Sequence, residues 1–338
     1  MRATPAALLP TMLCLACLCT PGLADGAATS PIPDTSEVMN MAYLADQARA
    51  ALTDAALAAL RQAEGESKEY TYKTTPQGEL RIYLDFPPGW SADDARPAIV
   101  FFFGGGWRSG TVNQFATQAK YLAERGMVAA RADYRVKSRH DVNPDKCVED
   151  AKSAMRWLRA NAKMLGLDPD RIIAGGGSAG AHLAACTATT PGLDAETDDT
   201  TISCKPAALV LFNPVLNLAG SARLAERLGS ADIAQAISPT LHLSEDTPPA
   251  IMFYGTDDRL IVHGEEFLEK AAEIAGLRVE MYTAEGVGHG FFNRPPWKQK
   301  TLYKADQFLA SLGYLEGEPT LEVPDEGPEL QAVGAPNE

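Results

Sequence analysis

Between residues 97 and 283 the chain repeats one rhythm: a short, mostly apolar run, then a longer stretch whose apolar positions recur every three or four residues. The short runs lie near 97–103, 127–132, 171–175, 207–213, 249–255 and 278–283, and they predict strands buried on both faces. The longer stretches, near 113–125, 145–164, 178–189, 263–275 and 297–311, predict amphipathic helices. Alternation of this kind predicts the α/β class, a mostly parallel sheet with helices on both faces. Ahead of it, residues 69–73 and 80–86 alternate at period two around Pro76-Gln77-Gly78, which predicts a hairpin that adds an antiparallel edge.

Three segments depart from the rhythm. Residues 214–247 hold short helical pieces at 221–228 and 232–237, bounded by Pro214, Pro239 and Pro248, and predict a small insert beside a pocket. Residues 316–338 are acidic, contain four prolines and follow the last basic residue, Lys304, so an extended or disordered surface tail is expected. Before the core, Val38, Met41, Leu44, Ala48, Leu52, Ala56, Leu57 and Leu60 are spaced for a helix over about 36–63, after a Gly/Ala/Ser/Pro-rich leader. Residues 1–24 have a basic start at Arg2, an apolar stretch and small residues at Gly22-Leu23-Ala24, the pattern of a cleaved signal peptide. The expected organisation is a signal peptide over 1–24, leader and helix over 25–67, a single α/β domain over 68–315 and a tail over 316–338. Export, to a periplasm or beyond, is the expected localisation, with no membrane span in the mature chain.

Glycines at the ends of four predicted strands bring in the chemistry. Ser178 stands in Gly175-Gly176-Gly177-Ser178-Ala179-Gly180, between a strand and a helix, where a sharp strand-to-helix turn would expose its hydroxyl. A glycine-rich helix start that holds phosphate is the other reading of that segment alone. The first of the core strands runs into Gly104-Gly105-Gly106-Trp107, which presents backbone N–H groups for an oxyanion hole. The last two run into Gly255-Thr256-Asp257-Asp258 and Gly288-His289-Gly290-Phe291. The order serine, acid, histidine is that of α/β-hydrolases. All of these residues fall at carboxyl ends of predicted parallel strands, where ligands gather in such sheets.

These motifs, with Asp133-Tyr134-Arg135, resemble the α/β-hydrolase superfamily over residues 68–315, and within it small exported esterases of the bifunctional feruloyl and acetyl-xylan type. The resemblance implies an α/β-hydrolase fold and an acyl-enzyme mechanism with Ser178 as nucleophile, His289 as base and Asp258, rather than Asp257, as the acid. Gly105, Gly106 and Ala179 would donate to the oxyanion, with the Trp107 N–H as substitute, and Trp107 and Phe291 would line the substrate pocket. The chain departs from its relatives at Phe103, where they usually carry histidine. The same motifs would also serve an exported serine peptidase or amidase, or a non-catalytic binding protein on a hydrolase fold.

Composition narrows the partners. The 338 residues carry a formal charge of −14, which disfavours nucleic acid and anionic membranes. A small-molecule or polysaccharide ester is the expected partner. No cofactor is called for, and no Cys/His spacing predicts a metal site. Three cysteines follow residue 24, Cys147, Cys186 and Cys204; a Cys186–Cys204 bridge and three free thiols are both open. Asp133 and Asp150 are expected to pair with Arg135 or Arg156. Acyl length, alcohol and oligomeric state have no legible motif.

Overall fold

The computed structural model describes residues 65–219, 230–324 and 327–334, all within one compact unit. The expected signal peptide, the leader and helix up to residue 64, and the helical piece at 221–228 lie outside the described residues. The nine strands are β1 (Ser67–Thr75), β2 (Gly78–Asp85), β3 (Arg96–Phe102), β4 (Val128–Ala132), β5 (Leu167–Gly177), β6 (Leu209–Phe212), β7 (Ala250–Gly255), β8 (Val279–Ala284) and β9 (Gln331–Val333). They form one sheet in the order β1-β2-β4-β3-β5-β6-β7-β8-β9. From β4 to β8 every neighbour is parallel, while the β1–β2 hairpin, its junction with β4, and β9 are antiparallel.

Among the described residues, five helices of nine residues or more pack on this sheet: α1 (Ala116–Glu124), α2 (Pro144–Ala160), α3 (Ala179–Thr189), α4 (Ile261–Ala272) and α5 (Trp297–Ser311). Strand side chains alternate between faces, so Ala98, Val100 and Phe102 of β3 join the core under α2, α3 and α4, and Ile99 and Phe101 join the core under α1 and α5. Both faces being covered explains why the strands read as continuous apolar runs. No described helix is long and apolar enough to cross a membrane.

The tail is more ordered than its composition suggests. Arg125 donates to the Glu316 and Gly317 carbonyls, and the Thr320 N–H donates to the Tyr121 hydroxyl. Lys300 pairs with Glu329, and β9 closes on β8 with Met281, Tyr282 and Thr283 opposite Val333, Ala332 and Gln331. The expected extended surface segment is, over residues 316–324 and 327–334, a chain tied to the body at these points. The backbone groups that β8 would otherwise leave unpaired are what the tail satisfies. In the insert, the expected helical piece at 232–237 is a helix over Ala231–Ala236, capped by the Ser230 hydroxyl.

One buried ion network ties the hairpin to the body. Asp150 on α2 is fully buried and accepts from Lys73 Nζ at 2.7 Å, Arg135 Nε at 2.8 Å and the Arg135 backbone N–H at 3.0 Å. Asp133 pairs instead with Arg139, and Arg156 with Asp194 and Asp198, so the expected pairing holds for Asp150 with Arg135 alone. The three cysteines are separate thiols: Cys147 donates to the Arg135 carbonyl and Cys204 to the Thr187 carbonyl. Removing the carboxylate would leave two buried cations without their shared partner. Asp150→Ala should lose about 3 to 5 kcal/mol of unfolding free energy by chemical denaturation; a loss below about 1 kcal/mol would show that the hairpin does not depend on this network.

Candidate active site

The site is built on the turn between β5 and α3. Ser178 has φ 52° and ψ −118°, a conformation that non-glycine residues avoid, and the surroundings hold it there. Its N–H donates to the Phe212 carbonyl at 2.8 Å, and its carbonyl accepts from the His182 N–H at 3.0 Å. A Cβ on Gly176 or Gly180 would collide with the Phe102 carbonyl, so strand and helix approach at backbone contact distance. That is the physical reason for small residues on both sides of the serine.

Two loops converge on the hydroxyl. His289 Nε2 lies 2.8 Å from Ser178 Oγ, and His289 Nδ1 lies 2.7 Å from Asp258 Oδ2. The Asp258 side chain is 2% exposed and that of His289 41%, so the acid is enclosed and the imidazole faces the solvent side. Asp258 Oδ1 also accepts the Leu260 N–H at 3.0 Å, which fixes the carboxylate plane. Asp257 is exposed and enters the turn through its backbone, donating to the Val287 carbonyl. The structure thus brings Ser178, His289 and Asp258 into one chain of hydrogen bonds and leaves Asp257 outside it.

The other four histidines are occupied elsewhere. His140 Nδ1 accepts the Val136 N–H, His263 Nδ1 accepts the Leu216 and Asn217 N–H groups, and His242 Nε2 contacts the Gln235 carbonyl. His182 is fully buried, and its Nδ1 accepts the Trp107 indole N–H at 3.2 Å. Its Nε2 must then carry the proton, which it donates to the Ile237 carbonyl at 2.7 Å. Burial pushes its pKa down to about 4, against a smaller opposing effect of the Ile237 bond. A neutral histidine thereby links the glycine loop, the elbow helix and the insert.

The glycine loop after β3 lies beside the serine, where a Cβ on Gly104 would come within 3.3 Å of Ser178 Cβ. Gly105 and Gly106 have φ of 128° and 62°, and Trp107 has φ 59°. The Gly105 carbonyl accepts from the Arg108 and Ser109 N–H groups, closing the turn. Among the described residues, no protein acceptor takes the N–H groups of Gly105, Gly106 or Ala179. The Gly104 N–H is held by Gln114 Oε1 at 2.6 Å, and Gln114 Nε2 reaches Asn293 Oδ1 beyond the histidine loop. Phe103 is 1% exposed and stacks on Tyr134 at 4.2 Å between centroids, while the Tyr134 hydroxyl donates to the Phe103 carbonyl at 2.7 Å. In this chain the loop is therefore anchored by stacking and by bonds to its backbone at the position where a histidine is usual.

The two expected pocket aromatics are largely enclosed. Trp107 is 6% exposed and packs edge-on against His182, and Phe291 is 6% exposed and packs edge-on against Trp297. Phe291 still borders an open depression of about 690 Å³ beside His289, with Arg294 and Pro295 on its rim. Sequence reading missed Asn213, a fully buried polar residue at the end of β6 with φ 38°. Its signal was an asparagine before Pro214 at the carboxyl end of a parallel strand.

The family model BD-FAE matches residues 82–266, more than half of the chain. The chain belongs to the BD-FAE family. Its fold is that of α/β-hydrolase esterases. It is similar to esterase 2 of Thermogutta terrifontis, with 46% identity, coverage of 75% of this chain and 94% of that one, and a TM-score of 0.70. Propionate-bound and butyrate-bound forms of that esterase match at 46% and 45% identity, each covering 76% of this chain and 97% of that one, with TM-scores of 0.70. It is also similar to esterase LipC of Mycobacterium tuberculosis, with 27% identity over 216 residues, or 58% of this chain and 53% of LipC. The chain spans about half the length of the curated relatives it matches first.

Two outcomes follow from this arrangement. Unfolded His182 takes up a proton near pH 6.5, whereas the folded one stays neutral down to about pH 4. Its contribution to stability is therefore complete above about pH 6.5 and is lost as pH falls toward 4, a difference of about 3 kcal/mol in magnitude. Denaturant melts of the parent and His182→Gln between pH 7.5 and 4.5 should show a smaller acid loss in the variant; parallel curves would count against it. Phe103→Ala should cost about 3 to 5 kcal/mol through the cavity against Tyr134, while activity per folded molecule falls less than tenfold. A shift in acyl-length profile with an unchanged melt would mean that Phe103 lines the acyl pocket.

Proposed function

We propose that the protein is an exported serine esterase that cleaves short acyl esters, acetyl esters of polysaccharides among them, through an acyl-enzyme. The observation that carries this reading is the hydrogen-bonded chain Ser178–His289–Asp258, with distances of 2.8 and 2.7 Å, on a strained elbow, together with Gly105, Gly106 and Ala179 N–H groups that take no protein acceptor among the described residues. His289 takes the Ser178 proton as Oγ attacks the ester carbonyl, then delivers it to the departing alcohol oxygen. Water then attacks the acyl-enzyme by the same proton route in reverse. Asp258 keeps Nδ1 protonated and stabilises the imidazolium that forms between the two transfers. The N–H groups of Ala179, Gly105 and Gly106 stabilise the negative oxygen, each being worth about 3 to 4 kcal/mol in the transition state.

The acyl preference is supported from two directions. Trp107 and Phe291 are each only 6% exposed, packed edge-on with His182 and Trp297, which leaves little exposed aromatic wall for a feruloyl ring. The similar esterase of Thermogutta terrifontis has been solved with propionate and with butyrate. Export is supported by the basic, apolar and small-residue succession of the first 24 residues. The acidic surface suits a neutral substrate better than an anionic one.

Turnover of p-nitrophenyl acetate, propionate and butyrate should exceed that of the decanoate ester and of methyl ferulate by at least about tenfold, with no cleavage of a peptide anilide. Ser178→Ala should lose at least about a thousandfold in kcat and all labelling by a fluorophosphonate, with an unchanged far-UV spectrum. Substantial turnover by Ser178→Ala would overturn the mechanism, and a preference for the ferulate would overturn the acyl assignment.

A further inference from the structure

Asn213 follows β6 and is fully buried, in a left-handed conformation that asparagine tolerates better than most side chains. Its backbone N–H donates to the Phe253 carbonyl at 2.7 Å, so its position is set by the neighbouring strand. Its side chain spans the gap to the histidine loop. Asn213 Oδ1 accepts the Gly290 N–H at 3.2 Å, and Asn213 Nδ2 lies 3.4 Å from His289 Nε2.

The orientation of this amide has one consistent solution. A backbone N–H can only donate, so the amide oxygen must face Gly290 and the NH2 must face His289. An NH2 group facing Nε2 disfavours a proton on that nitrogen and tolerates a lone pair. The lone pair at Nε2 is also what the Ser178 hydroxyl needs as its acceptor at 2.8 Å. The proton then sits on Nδ1, facing Asp258 at 2.7 Å. Asp258 acts on one nitrogen as acceptor and Asn213 on the other as donor, so the two select the same tautomer.

We infer that Asn213 is a positioning residue that holds His289 in the Nδ1–H tautomer, ready to accept the serine proton, and pins the loop that carries it through Gly290. The kinetic side of this inference rests on the esterase reading; the tautomer itself does not. The informative substitution is Asn213→Asp. It keeps tolerance for positive φ and an oxygen for the Gly290 N–H, but replaces the donor near Nε2 with an acceptor. Such an acceptor favours a proton on Nε2, which blocks the base.

The experiment uses the full chain labelled with 15N-histidine, with His289 assigned by the signal missing in His289→Gln. Two-bond proton–nitrogen correlation at pH 8 should show the parent protonated at Nδ1 only. In Asn213→Asp, Nε2 should carry a proton. With p-nitrophenyl acetate, kcat of that variant should fall by at least about tenfold, within the range of general-base catalysis, while KM stays within about threefold. Asn213→Gly, which removes both contacts at a compatible φ, should lower the melting temperature as well as kcat, whereas Asn213→Asp should retain most of the melting temperature. A parent protonated at Nε2, or a variant whose tautomer matches the parent's, overturns the inference whatever the activity. A changed tautomer with kcat within threefold of the parent overturns the positioning role. If the parent cleaves no ester, the esterase reading fails while the tautomer measurement still decides the role of Asn213.

Discussion

The site depends on the backbone contact between the end of β3 and the elbow around Ser178. Gly176 and Gly180 have no room for a Cβ because the Phe102 carbonyl occupies that space. With strand, turn and helix locked at this distance, Ser178 is held in an unfavourable φ/ψ region, at a cost of about 1 to 3 kcal/mol. The same contact brings the glycine loop after β3 beside the serine. Serine and glycine loop are thus placed side by side by one packing event between backbones.

The loops around the site are joined to one another by side-chain hydrogen bonds. His182 joins the Trp107 indole to the Ile237 carbonyl, so the glycine loop, the elbow helix and the insert share one buried bond network. Gln114 links the Gly104 N–H to Asn293, just beyond the histidine loop. Tyr134 supports Phe103 twice with one side chain, stacking on its ring and donating to its carbonyl. In an α/β sheet the loops at the carboxyl ends carry the chemistry but are joined to one another by little else, and such cross-loop bonds supply the missing rigidity.

Periodicity was sufficient for the fold because both sheet faces are covered. Runs such as Ala98 to Phe102 are apolar throughout, and most helices between them are amphipathic, whereas α3 is buried over Ala179–Thr187 and was legible from the glycine turn ahead of it. The hairpin at the antiparallel edge was legible for the opposite reason: its side chains alternate. The tail was not legible, since its order comes from partners far away in sequence. Arg125, Tyr121, Lys300 and the free edge of β8 hold a segment whose own composition favours an extended chain.

For the site, the sequence by itself determined which residues could react, because glycine-rich strand ends announce positions where backbone strain and close approach are required. Ser178, the Gly104-Gly105-Gly106 turn, the Asp257-Asp258 pair and His289 were all visible in that way. Only the tertiary structure decided between the two aspartates, turning Asp258 inward to the imidazole and Asp257 to solvent. It also decided that Trp107 and Phe291 are mostly enclosed, that Phe103 replaces a polar anchor by stacking, and that Asn213 reaches the histidine. Local pattern encodes backbone conformation and burial period. Which polar atom meets which across a separation of 76 positions, as Asn213 and His289 do, depends on how strands far apart in the chain are ordered in the sheet.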